Sequence, residues 1–165
     1  MKIAFLVILF AAGASLALVG VVTVLVQPEV PSELVDSNVN SLGDAWLALD
    51  SLGQLHVTYN SITPSMLKYA VKRGGQWNYE LVDSAGWKHC FRLDAGDRPY
   101  IVYVDFDSKD LHYATKNEDE WVKETIADSM YASTLYLALD SNKKPHICYV
   151  AYSWIRYVFK ENDAW

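Results

Sequence analysis

Residues 67–84 read LKYAVKRGGQWNYELVDS, and this stretch decides the fold because the chain repeats it. Tyr69 precedes Trp77 by eight residues, and the same spacing recurs from Tyr113 to Trp121 and from Tyr157 to Trp165. Working outward, each unit is headed by an aspartate: Asp50, Asp94 and Asp140, spaced by 44 and 46 residues. Before each stands an apolar run, Trp46–Leu49, Cys90–Leu93 or Tyr136–Leu139. Six residues after the aspartate comes His56, Tyr100 or His146, and nine after it Tyr59, Tyr103 or Tyr149. A repeat at such a period sets the architecture before any single motif is read.

The segments are short, rich in Val, Ile, Tyr, Trp and Thr, and bounded by turn residues, the pattern of strands joined by hairpins. Asp50-Ser51-Leu52-Gly53, Asp140-Ser141-Asn142-Lys143 and Gly74-Gly75 read as tight turns, because Asp bonds backbone N–H groups just ahead of it and Gly accepts positive φ. After residue 30 no stretch holds apolar residues at helical spacing for four turns. The expected class is all-β. Four strands, a to d, in about 45 residues is the size of one blade of a β-propeller.

The segments LALDSLGQLHVTYN (47–60), LKYAVKRGGQWNYELVDS (67–84) and LYLALDSNKKPHICYV (135–150) resemble the propeller-type repeats of bacterial and archaeal cell-surface proteins. Those repeats have the form ALDSxGxPHIxY…LxYAxxxxxxWxxExVDS. The resemblance covers roughly residues 33–165 and implies an extracytoplasmic β-propeller, with no catalytic motif to carry over. Phe91-Arg92 in place of Leu-Ala, Tyr100 in place of His and a shortened third unit depart from the pattern.

Glu33-Leu34-Val35-Asp36-Ser37 matches Glu80–Ser84, so the repeats open on a fourth strand without its first three. The expected order is d, abcd, abcd, abc, in units of about 33–77, 78–121 and 122–165. Three blades are fewer than the roughly four to eight that normally close a ring. An open array exposes two apolar faces, and covering them is worth on the order of 10 kcal/mol. Two readings follow: self-association of two chains into a six-bladed ring, each giving its d strand to the other, or a chain that is part of a longer one.

Residues 3–26 carry no charge and are apolar or small, long enough to span a bilayer as a helix. Small residues at Ala12–Ala14 and Ser15–Ala17 leave a cleaved signal peptide open beside an uncleaved anchor. Residues 1–27 are thus the signal or transmembrane segment and 28–32 a stiff spacer. Lys2 on one side and Glu29 and Glu33 on the other put the remainder outside the cytoplasm. The net charge of −6 argues against nucleic acid as a partner. Cys90 and Cys148 occupy non-equivalent positions, and either pair between neighbouring units or remain buried thiols.

The clearest break in the repeat is Lys88, His89 and Arg92, where the other units carry small or apolar residues at most positions. Strand a is the innermost strand of a propeller blade. Lys88 and Arg92 share a strand face, and a basic pair there suits a carboxylate or sulfate, or an ion pair with the next blade. Trp87, Tyr131 and Trp154 fall in the variable loops, where binding usually lives, and either grip a sugar or peptide or cap the blade ends. His56 and His146 lack a second metal ligand nearby and read as structural. Asp105, Asp107 and Asp110 open like a calcium loop, but Asp110 and Lys116 break the pattern. The recurring Glu33/Glu80/Glu124 and Asp36/Asp83/Asp128 are blade-stabilising, since catalysis needs no group three times.

No nucleophile–base or HExxH arrangement appears, so no cofactor and no catalytic residue is expected. The leading expectation is a non-catalytic module displayed at the cell surface, binding a glycan or a protein. A structural subunit of a surface layer is the alternative. A sialidase-like glycosidase fits poorly, because Arg73, Arg92, Arg98 and Arg156 fall on different strands and turns.

Overall fold

The computed structural model describes residues 31–40, 42–162, 164 and 165. The expected membrane segment lies outside the described residues. Among the described residues no helix is long and apolar enough to cross a membrane. Every element of the described part is a β-strand, and all pairing is antiparallel.

Sheet A comprises β1 (Leu42–Leu49), β2 (Leu55–Ile62), β3 (Ser65–Arg73) and β4 (Gln76–Asp83), hydrogen-bonded in chain order. Sheet B follows with β5 (His89–Leu93), β6 (Pro99–Val104), β7 (Leu111–Asn117) and β8 (Glu120–Ala127). Sheet C has β9 (Ala132–Leu139), β10 (Pro145–Ala151) and β11 (Trp154–Phe159). The three sheets are open meanders. The strands match the a, b, c and d segments read from the repeat: sheets A and B each run from their own a strand to their own d strand, and sheet C from a to c. The units counted by pairing are therefore 42–83, 89–127 and 132–159.

One expectation is corrected. Residues 33–37 form no strand. A d strand forms by pairing with the c strand of its own sheet, and the described residues before it supply none. Asp36 nevertheless keeps the contacts of its repeat position. Its carboxylate accepts hydrogen bonds from Tyr59 Oη at 2.7 Å and Lys68 Nζ at 2.9 Å, as Asp83 accepts one from Tyr103 Oη at 2.5 Å.

Sheet B lies between the other two, and its sequence shows why. Strand β6 reads PYIVYV and is buried at every position, so it has no polar face. Ile101 and Tyr103 pack with Leu67, Tyr69 and Val71 of sheet A and Phe91 of β5. Tyr100, Val102 and Val104 pack with Leu135 and Leu137 of β9 and Ile147 and Tyr149 of β10. Strand β10 alternates instead, with Ile147, Tyr149 and Ala151 inward and His146, Cys148 and Val150 half-buried, the mark of a sheet covered on one side.

The aspartates that head the units build the first turn of each sheet. Asp50 Oδ1 accepts N–H bonds from Leu52 and Gln54, Asp94 from Gly96 and Arg98, and Asp140 from Asn142 and Lys144. Burial pushes the Asp94 carboxyl up, but the N–H groups of Arg98 and Gly96 and the Lys143 ammonium outweigh it and hold it below the ordinary range. His56 Nδ1 meets Tyr69 Oη at 2.5 Å and its Nε2 meets Asp50 at 3.2 Å. His146 repeats the relay with Tyr157 Oη at 2.6 Å and Asp140 at 3.8 Å. Both histidines thus bridge the head turn to strand c of their own sheet.

Between sheets a second device recurs. Glu80 of β4 takes Lys116 Nζ at 2.8 Å and Trp121 Nε1 at 2.9 Å from sheet B. Glu124 of β8 takes Lys160 Nζ at 2.6 Å and Trp165 Nε1 at 2.8 Å. Each lysine also lies over its tryptophan ring, at 5.8 Å in both cases. These clasps explain why Lys, Trp and Glu keep fixed spacing. Both cysteines are free. Cys90 is buried with the β9 and β10 residues, whereas Cys148 sits on the far face of sheet C, opposite Tyr136 and Tyr157.

Candidate functional site

The first strands of the three sheets, β1, β5 and β9, adjoin one another in that order. A cleft of about 540 Å³ lies along them, lined by Gly43–Trp46, Lys88, His89 and Ser133–Tyr136. This brings together residues some 90 positions apart in the chain.

Two residues expected from the break in the repeat border this cleft. Lys88 stands ahead of β5, and its Nζ lies 3.2 Å from the Asp44 carboxylate across the cleft. Both remain about one-third exposed, at 34 and 38 %, so the pair is open to a ligand. The ion-pair reading of Lys88 is the one the geometry shows. His89 points inward instead and is 3 % exposed. Its Nε2 meets Thr58 Oγ1 at 3.1 Å, and Nδ1 has no hydrogen-bond partner. Burial lowers its pKa to about 4, so it stays neutral at pH 7.

Arg92 does not join Lys88. Its guanidinium lies 5.2 Å from the Trp46 ring centroid and donates from Nη1 to Phe91 O at 2.8 Å. It borders the cleft through Trp46 rather than lining it. The basic pair expected to hold one anion is thus divided, Lys88 by Asp44 and Arg92 by the Trp46 ring.

Trp87 and Tyr131, from loops 44 residues apart, do meet. Trp87 stands edge-to-face with Tyr131 at 5.7 Å and with Phe106 at 6.1 Å. Lys109 sits among the three, with Nζ 5.6, 4.3 and 5.4 Å from the Trp87, Phe106 and Tyr131 rings. It also donates to Phe106 O. The cluster is satisfied from within, which favours the capping role of these aromatics over ligand stacking. Trp154 stands apart, 68 % exposed at the start of β11.

The aspartates of the loop that opens like a calcium site face the backbone. Asp105 Oδ1 accepts N–H bonds from Asp107 and Ser108, and Asp110 Oδ1 accepts one from Ser129. Among the described residues no cluster of His, Cys, Asp and Glu is placed to hold a metal ion.

The residue that the sequence reading missed is Asn60. It is fully buried and ties three segments of the cleft together. Its Oδ1 accepts Asp44 N–H at 2.7 Å, and its Nδ2 donates to Trp87 O at 2.6 Å. Both neighbours demand glycine. A Cβ on Gly43 would meet the Asn60 amide at 2.7 Å, and one on Gly86, at φ 151°, would meet Leu67 Cβ at 2.8 Å. The signal was present: the other units carry Val104 and Val150 at this position.

The cleft lining is polar and aromatic, with a hydroxyl–histidine contact buried beside it. Thr58 is the hydroxyl that meets a histidine beside it, and it is wholly buried with no third group to orient the ring. What faces the cleft is a carboxylate, an ammonium, the Ser133 and Thr134 hydroxyls, and the Trp46 and Tyr136 rings, Tyr136 being 56 % exposed. No family model matches the chain, and no curated protein sequence is significantly similar to it.

Proposed function

We propose that the protein is a non-catalytic binding module of β-propeller type, displayed outside the cytoplasm, with its ligand seated in the cleft along β1, β5 and β9. The observation that carries the reading is the composition of that cleft. Paired polar groups and partly exposed aromatic rings line it, held in place from beneath by the buried Asn60. Such a surface suits a neutral polyol: hydroxyls exchange for the water on Asp44, Lys88, Ser133 and Thr134, and a sugar ring lies against Tyr136. A surface glycan is therefore the ligand class proposed. The propeller reading rests on the repeat period, the four-strand meanders and the adjacency of the first strands. The extracytoplasmic placement rests on the apolar run at residues 3–26.

Glycan-array binding by the detergent-solubilised chain tests the reading. Lys88→Ala and Tyr136→Ala are each expected to weaken the best glycan about tenfold, which is about 1.4 kcal/mol. Trp154→Ala, outside the cleft lining, is expected to leave it unchanged. Binding that Trp154→Ala abolishes and the cleft variants leave intact overturns the proposal.

A further inference from the structure

The two outermost faces of the array carry the same residues that the inner interfaces bury. Leu67, Leu111 and Ile155 occupy one repeat position and are 0, 0 and 77 % exposed. Tyr69, Tyr113 and Tyr157 occupy another and are 3, 4 and 60 % exposed. On the opposite side of each sheet, Phe91 and Leu137 are 1 and 2 % exposed, whereas Leu47 at the same position is 63 % exposed. The side of sheet A bearing Leu67 and Tyr69 packs on Phe91, and that of sheet B bearing Leu111 and Tyr113 packs with Leu137. The chain thus presents one unused face of each kind: Ile155, Tyr157 and Phe159 on sheet C, and Leu47 and Leu49 on sheet A.

We infer that a second copy of this chain covers them, head to tail, with sheet C of one copy against sheet A of the other. The two faces are made for each other by repetition, because the joint they would form is the joint already made twice within the chain. Their exposure in one and the same molecule shows that they do not meet within it. Two copies related by a two-fold axis form this joint twice, which leaves neither face open.

The segment through Val35 and Asp36 completes the fit. Asp36 rests on Tyr59 and Lys68 on the outer side of sheet A, and Tyr79 Oη donates to Val35 O at 2.7 Å. That is where the fourth strand of a preceding sheet belongs, as Asp83 of β4 shows against Tyr103 of sheet B. Sheet C has no fourth strand among the described residues, so β11 presents a free edge. In the pair, Val35–Asp36 of one copy adds to β11 of the other by main-chain hydrogen bonding.

The full chain in density-matched detergent, examined by sedimentation equilibrium, is expected to be a dimer. Leu47→Lys and Tyr157→Glu, both at exposed positions, are each expected to give monomers with an unchanged β-type circular dichroism spectrum. Mixing the two variants is expected to restore a dimer, because one joint then pairs Lys with Glu and the other is wild type. Maleimide labelling of Cys148, which lies beside Tyr157 on the covered face, should be at least tenfold slower in the wild type than in Leu47→Lys. A monomeric wild-type chain overturns the proposal. So do variants that remain dimeric, a mixture that does not reassociate, or a Cys148–Cys148 cross-link joining two C faces. Since Lys88→Ala addresses the ligand and Leu47→Lys addresses the joint, the two proposals fail separately.

Discussion

At the scale of single residues, the cleft depends on groups that never touch solvent. Asn60 holds the β1 end and the loop before β5 through side-chain bonds to backbone that lies 16 and 27 residues away. Asn60→Ala removes both and leaves a buried N–H and C=O unpaired, so a loss of about 2–4 kcal/mol in unfolding free energy is expected by denaturant titration. Gly43→Ala is expected to cost about 1–3 kcal/mol, because its Cβ has nowhere to go except into that amide. His89 makes a pH-dependent contribution. Its folded pKa of about 4 lies below the unfolded value near 6.5. The unfolded state therefore binds the extra proton between these values. The stabilisation is complete above pH 6.5 and falls as the pH drops towards 4, by roughly 3 kcal/mol at most. Chemical unfolding followed from pH 7.5 to 4.5 measures it, and His89→Gln is expected to flatten the slope. Lys88, His89 and Arg92 were legible in the sequence as a break in the repeat, but their separate fates were not. Whether a charge finds Asp44 or the Trp46 ring depends on how neighbouring strands stagger, and spacing along one strand does not encode that.

At the scale of elements, the strands and their head turns were legible because each depends on short-range chemistry: an aspartate that closes its own turn, and alternation or uniform burial along a strand. The inter-sheet clasps were legible in part, since Glu80 and Glu124 recur for a structural reason, although their partners were not. Lys116 and Trp121 lie 36 and 41 residues beyond Glu80, a distance over which only the fold supplies proximity. Glu124→Ala removes a partly buried ion pair and a tryptophan hydrogen bond, so it is expected to lower stability by about 1–2 kcal/mol. Tyr103→Phe deletes the fully buried phenol that bonds Asp83 and should cost about as much. Strand formation at residues 33–37 was the misreading. Its sequence copies β4, but a strand needs an edge to pair with, and sequence similarity does not provide one.

At the scale of the whole molecule, residues 35–165 are three sheets fastened in chain order, A to B to C, by two copies of one clasp and two apolar cores. The repeat announced this arrangement, and the cleft along the first strands is its consequence. The indole N–H resonances of Trp121 and Trp165 in a ¹⁵N-labelled chain test that order most directly. Each donates to a carboxylate of the preceding sheet, at 2.9 and 2.8 Å. The account predicts that both are shifted downfield and exchange slowly with solvent, that Glu80→Gln moves Trp121 alone, and that Glu124→Gln moves Trp165 alone. Two fast-exchanging indoles indifferent to both substitutions would contradict it.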